Sequence, residues 1–191
     1  YHGHTGLAVQ VGDPRFSKLF LSEGHPEDIV QVPFNDLAAM EAAISVGDAS
    51  SVIMETIPAT YGFPMPQEGY LKAIKALCEK YGSLYIADEV QTGFGRTGKM
   101  FALEHWDVVP DLMTFAKGVT SGYFPLGGVI ARREIADVFT GSKKAMFKHV
   151  LTYGGQPAAC AAALKNLEIL ESEHLIENSA SMGEYLVDGL F

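Results

Sequence analysis

Three residues stand where a short apolar run stops. Glu55 follows Ser51 to Met54, Asp88 follows Leu84 to Ala87, and Lys117 follows Leu112 to Ala116. In an open α/β sheet, ligands gather at the carboxyl ends of strands, so two carboxylates and an amine can share one sheet edge. Thr114-Phe115-Ala116 reads as a buried run, and burial would favour the neutral form of the Lys117 amine, the nucleophile that makes a Schiff base. Gly118 and Gly122 behind it would let a flat ligand approach the backbone. The ordinary alternative is a lysine that snorkels to solvent, and for Lys117 taken alone that alternative is the better one.

Asp88 shifts the balance. An amine and a carboxylate on neighbouring strands are what pyridoxal phosphate needs. Its ring acts as an electron sink only while the ring nitrogen stays protonated, and an aimed carboxylate keeps the proton there. The stretch between Asp88 and Lys117 is long enough for a loop and a return strand. Glu89 should point to the opposite side from Asp88, because side chains alternate along a strand. The ordinary role for a strand-end aspartate is a helix cap or a surface ion pair.

The elements that must position these groups alternate in type. Four short apolar runs read as buried strands: Ser51 to Met54, Leu84 to Ala87, Leu112 to Ala116 and Gly127 to Ala131. Between them Asn35 or Asp36 can cap a helix that runs to about Ile44. Tyr70 to Tyr81 places Leu71, Ile74, Cys78 and Tyr81 on one face, with Gly82 as its stop. Arg133 to Phe139 reads as a short helix, and Pro157 opens another that runs to Leu170. Pro58 to Gly69 reads as a loop. The alternation predicts an α/β layered fold with a mostly parallel sheet.

With 191 residues, 48% hydrophobic and 19% charged, the composition is that of an ordinary globular protein. The net charge of -9 argues against nucleic acid and anionic membranes as main partners. Cys78 and Cys160 lack a CxxC partner and read as free thiols of a reducing compartment, hence a cytoplasmic location. His2, His4 and His149 have no Cys or carboxylate spaced to complete a metal site and read as polar loop residues. The chain opens in a Gly/His-rich turn and stops within a helical pattern over about 174–191, so it reads as part of a longer protein.

Several blocks together resemble the class-III aminotransferase family. They are Tyr1-His2-Gly3, Ile86-Ala87-Asp88-Glu89-Val90-Gln91-Thr92-Gly93-Phe94-Gly95-Arg96-Thr97-Gly98, Pro110-Asp111 with Phe115-Ala116-Lys117-Gly118, Gly122-Tyr123-Phe124-Pro125-Leu126-Gly127-Gly128, and Thr152-Tyr153-Gly154-Gly155-Gln156-Pro157. The resemblance implies a three-layer α/β/α large domain of fold type I. Residues 1–191 would be a partial large domain whose last helix leads toward a small domain outside this chain. It implies a pyridoxal-phosphate-dependent transaminase that moves an amino group from an amine or amino acid to a 2-oxo acid. Lys117 would carry the coenzyme as an internal aldimine and shuttle the proton, and Asp88 would pair with the pyridinium nitrogen. Val90 would pack on one ring face and Tyr1 on the other, while Gln91 would bond the phenolic oxygen. Thr152 would reach the phosphate in a neighbouring subunit, which makes a homodimer part of the site. Glu55 would lie near the coenzyme. An aminomutase, racemase or decarboxylase of the same family would share the lysine and aspartate.

Gly93 to Gly98 also spells G-x-G-x-x-G, but no helix pattern follows it, and Met100 after Lys99 cannot serve as a P-loop Ser or Thr. Two departures from the family pattern stand out. Thr56 and Thr60 occupy positions that are Pro and Glu in the ornithine and 4-aminobutyrate branches, which argues against those donors. Gln156 replaces the usual Asn. The phosphate-cupping turn and the arginine for the substrate carboxylate should lie outside these residues. The 191 residues alone are therefore expected to bind the coenzyme poorly and not to turn over.

Overall fold

A computed structural model describes residues 1–18, 26–141 and 144–191. The chain divides into two compact units, Tyr1–Asp88 and Glu89–Phe191.

The first unit opens with helices α1 (Gly6–Val11) and α2 (Pro14–Ser17), which no periodicity in the sequence predicts. Then come α3 (Leu37–Ile44), strand β1 (Ser51–Glu55), α4 (Tyr70–Tyr81) and strand β2 (Leu84–Asp88). Asp36, the second of the two expected caps, accepts the Ala39 N–H at 2.9 Å. A cap of this kind stabilises by about 1 kcal/mol. Helix α4 keeps the expected apolar face, with Ile74 and Cys78 at 0% exposure. Tyr81 is only half-buried, and its hydroxyl donates to Glu41 at 2.9 Å. Gly82 ends the helix in a left-handed conformation and donates to the Cys78 carbonyl. Helix α4 packs on α3 and β2, and burying a side chain the size of Ile74 is worth about 1.5–3 kcal/mol. Strands β1 and β2 run parallel, with Glu55 in register with Asp88. The expected Pro58 to Gly69 loop holds one 3-10 turn, Ala59–Tyr61.

The second unit begins with a loop and a 3-10 turn at Ala102–Trp106. Strand β3 (Leu112–Phe115) follows, then a 3-10 turn at Lys117–Thr120, strand β4 (Gly128–Ala131), and helices α5 (Arg133–Val138), α6 (Pro157–Ser172) and α7 (Leu175–Leu190). Strands β3 and β4 are antiparallel, whereas the β1/β2 pair has the expected parallel sense. The apolar runs of β3 and β4 predict that both are buried. Strand β3 is instead half-buried throughout, and Val129 and Ile130 of β4 are exposed. Short apolar runs carry no record of which face is covered. Asp111 ties the start of β3 to the end of β4, its carbonyl accepting the Arg132 N–H and its carboxylate the Arg132 guanidinium at 2.9 Å.

The glycine-rich run Gly93 to Gly98 turns back on itself, with the Gly98 N–H donating to the Gly95 carbonyl. It opens no α-helix, as the rejection of a dinucleotide motif requires. Its glycines serve packing. A Cβ on Gly98 would lie 2.8 Å from the Ala180 Cβ of α7, and Gly98 has φ +81°. Helix α6 begins where Gln156 accepts the Ala159 N–H at 3.0 Å, so the glutamine that departs from the family pattern caps the helix.

Candidate active site

In the first unit two buried carboxylates lie side by side. Glu55 (6% exposed) and Asp88 (5% exposed) close the parallel strands β1 and β2. Each meets the opening residues of the chain. The Tyr1 nitrogen donates to Glu55 Oε2 at 2.8 Å, and His2 Nδ1 lies 2.7 Å from Asp88 Oδ2. The Tyr1 ring stands edge-on to Phe16 with centroids 5.0 Å apart. Of the groups expected along one sheet edge, Glu55 and Asp88 end paired strands of this unit.

Sequence reasoning missed His2 and treated it as a polar loop residue. Its side chain is only 9% exposed. A buried carboxylate needs hydrogen-bond donors or an opposite charge to offset its desolvation, and His2 supplies one from far along the chain. Its place beside Tyr1 in the Tyr1-His2-Gly3 block was the signal available.

In the second unit Lys117 follows β3 after one residue, Ala116. The expected burial is wrong: Lys117 is exposed, and Thr114 to Ala116 are half-buried. The physical reason is local, since the backbone leaves the strand at this residue. Lys117 takes φ +44°, a left-handed conformation, and starts the 3-10 turn. A non-glycine residue held there costs about 1–3 kcal/mol, and such strain clusters at functional positions. The turn behind it is firm. Val119 and Thr120 are buried, and Asn166 of α6 donates to the carbonyls of Gly118 and Val119 at 3.0 and 3.1 Å.

Gly118 does not face open space as a ligand approach would need. A Cβ there would lie 3.1 Å from the Phe94 Cβ. Gly122 has φ +80° with nothing nearby, which makes it a turn residue. Val90 and Gln91 are half-buried at the start of the glycine-rich loop. Glu89 donates its N–H to the Thr114 carbonyl of β3 at 3.0 Å, which brings this loop alongside the strand that leads to Lys117. Thr152 is exposed in a turn closed by the Gly154 N–H on the Leu151 carbonyl.

The class-III aminotransferase family matches residues 1–191, and the chain belongs to that family. An uncharacterized aminotransferase of Archaeoglobus fulgidus is 42% identical over 186 residues, covering 97% of this chain and 42% of that protein. The ornithine aminotransferase of Oceanobacillus iheyensis is 39% identical over 191 residues, covering 100% of this chain and 46% of its own length. A transaminase structure from the marine bacterium Virgibacillus superposes with a TM-score of 0.87 at 40% identity, over 100% of this chain and 45% of that one. The ornithine aminotransferase of Toxoplasma gondii gives 0.89 at 30% identity, over 100% and 43%. These likenesses bear out the aminotransferase large-domain fold. The chain spans under half the length of the curated relatives it matches.

Proposed function

We propose that the protein carrying this chain is a pyridoxal-phosphate-dependent transaminase that exchanges an amino group between an amine or amino acid and a 2-oxo acid. The observation that carries this reading is Asp88, a buried carboxylate at a strand's carboxyl end with His2 on one oxygen. It comes in a chain that matches the family along its whole length.

The donor set suits the coenzyme. Asp88 is a desolvated acceptor fit to hold a proton on a ring nitrogen. Lys117 has no hydrogen-bond or ion-pair partner among the described residues, so its amine is available for covalent attachment. When bound, pyridoxal phosphate supplies an electron sink for the pair left by a broken substrate bond. Lys117 Nζ takes the substrate's α proton and returns it. Val90 and Tyr1 would flank the coenzyme's ring and Gln91 would donate to its phenolic oxygen, with Glu55 beside Asp88. Thr152 serves the phosphate of a second subunit, which its exposed turn leaves free to do, and the enzyme is a homodimer. Two free cysteines suit a cytoplasmic location. Among the described residues no helix is long and apolar enough to cross a membrane.

The test uses the full-length protein. After incubation with pyridoxal phosphate, borohydride reduction and digestion, mass spectrometry should find the label on Lys117. Turnover should require a 2-oxo acid as acceptor. No label, or label on another lysine alone, would falsify the assignment.

A further inference from the structure

Glu89 is a buried acid that the reading above leaves without a task. It is 0% exposed. Its carboxylate accepts three hydrogen bonds: from the Ala102 N–H at 3.0 Å, from the Leu103 N–H at 2.9 Å and from the Thr92 hydroxyl. The two N–H groups open the 3-10 turn Ala102–Trp106, where backbone donors have no partner within the turn. A buried carboxylate is stable only with such donors around it. Here one side chain joins the residue before Val90 to the far end of the loop that contains Val90, Gln91 and the glycine-rich run.

What lies inside that loop gives the clamp a consequence. The Gly93 N–H donates to the Glu89 carbonyl at 2.9 Å, and the Phe94 N–H donates to the Met100 carbonyl at 2.6 Å. Phe94 then stands edge-on to Phe101 and Phe115, with centroids 5.4 and 5.8 Å apart. The Phe94 Cβ also fills the space against Gly118, the residue after Lys117. A loop that opened at Ala102 would loosen Val90 and Gln91 at one end and withdraw Phe94 from the lysine turn at the other.

We propose that Glu89 is a positioning residue of the coenzyme site: its hydrogen bonds to the Ala102 and Leu103 N–H groups close the loop and hold Val90, Gln91 and the Lys117 turn in register. This rests on the assignment of Lys117 as the coenzyme lysine. The role needs a carboxylate. Oε1 takes the Leu103 N–H, while Oε2 takes both the Ala102 N–H and Thr92. In Glu89→Gln, either orientation of the amide turns its NH2 group toward one of the two backbone N–H donors.

The experiment compares the full-length wild-type enzyme with E89Q and T92V in two measurements. Amide hydrogen exchange is followed on the coenzyme-free protein, and coenzyme affinity is found by titration with pyridoxal phosphate. E89Q should exchange faster at Ala102, Leu103 and across residues 90–98, while α4 keeps its wild-type rate. Its Kd for pyridoxal phosphate should rise about 10–100-fold, taking the size found when outer-shell partners of a metal's ligands are lost. At saturating coenzyme, borohydride should still label Lys117. T92V, which keeps both N–H bonds, should weaken binding only a few-fold. The proposal is overturned if exchange at Ala102 and Leu103 is unchanged in E89Q. It is equally overturned if the loop opens while Kd stays at the wild-type value, which would make Glu89 structural only. Should E89Q not fold, T92V decides: a several-fold rise in Kd supports the clamp, and an unchanged Kd overturns it. Absence of label in the wild-type enzyme would instead sink the Lys117 assignment. Exchange on the coenzyme-free protein would still report on the clamp.

Discussion

Adjacent carboxylates at the end of β2 are held by different means. Asp88, the last residue of the first unit, meets His2, a side chain 86 positions away. Glu89, the first residue of the second, meets two backbone N–H groups 13 and 14 positions away. The first arrangement is long-range and uses a side chain from the other end of the unit. The second spans a single loop and rests on the backbone of a turn. The units differ in their cores as well. The first buries Leu71, Ile74, Cys78, Tyr85 and Ala87 almost fully, whereas Val129, Ile130, Val150 and every large apolar residue of α7 from Met182 onward remain exposed in the second. Burial around α4 is therefore the apolar core of the first unit, and the second keeps a smaller one that includes Leu103, Val108, Val119 and Ala159.

The largest way to sharpen this contrast is Ile74→Ala in the full-length protein. It should cost about 2–5 kcal/mol in denaturant unfolding, the range for a large-to-small change in a closed core. Leu186→Ala on exposed α7 should stay within about 0.5 kcal/mol. Similar losses at both positions would mean that α7 is covered in the working protein.

Next comes His2→Ala, which strips a donor from buried Asp88 and should cost about 1–3 kcal/mol. Under the transaminase reading it should also weaken coenzyme binding, because the carboxylate loses its fixed orientation. A stability loss with unchanged coenzyme affinity would confine His2 to a structural part.

Gly98→Ala should cost about 1–2 kcal/mol, from the strain of φ +81° and the 2.8 Å approach to Ala180. A melting temperature equal to wild type would show that the glycine-rich loop does not need α7 so close.

The smallest effect is expected on the surface of the first unit. The Lys80 ammonium beside Glu41, and then the Tyr81 hydroxyl, hold the Glu41 carboxyl below its ordinary value. A depressed carboxyl adds stability above its unfolded-state pKa and loses it as pH falls through the lower folded-state value. Wild type should therefore exceed Glu41→Gln in melting temperature at neutral pH by an amount near detection, since the pair is exposed. The difference should vanish in acid below the ordinary glutamate range. A difference that persists there would assign the effect to packing.

Helix α4 was legible because its periodicity, its stop at Gly82 and its apolar face are all local. The ends of β1, β2 and β3 were legible for the same reason, and they gave Glu55, Asp88 and the position of Lys117. Strand β4 was placed nearly to the residue, but its exposure was not foreseen, because a four-residue apolar run looks the same covered or bare. Helices α1 and α2 were missed. They are too short for periodicity to register, with six and four residues.

By itself, then, the sequence determined which groups stand at strand ends and which family's ordered blocks they belong to. These are properties of residue type and spacing along one dimension. Only the tertiary structure decided that His2 serves Asp88, that Lys117 turns outward in a left-handed bend, that Gly118 seats Phe94 and that Glu89 closes a loop. Each of these is a contact between segments distant in the chain or a backbone angle imposed by packing. Neither kind of fact is encoded in the identity of a residue's immediate neighbours.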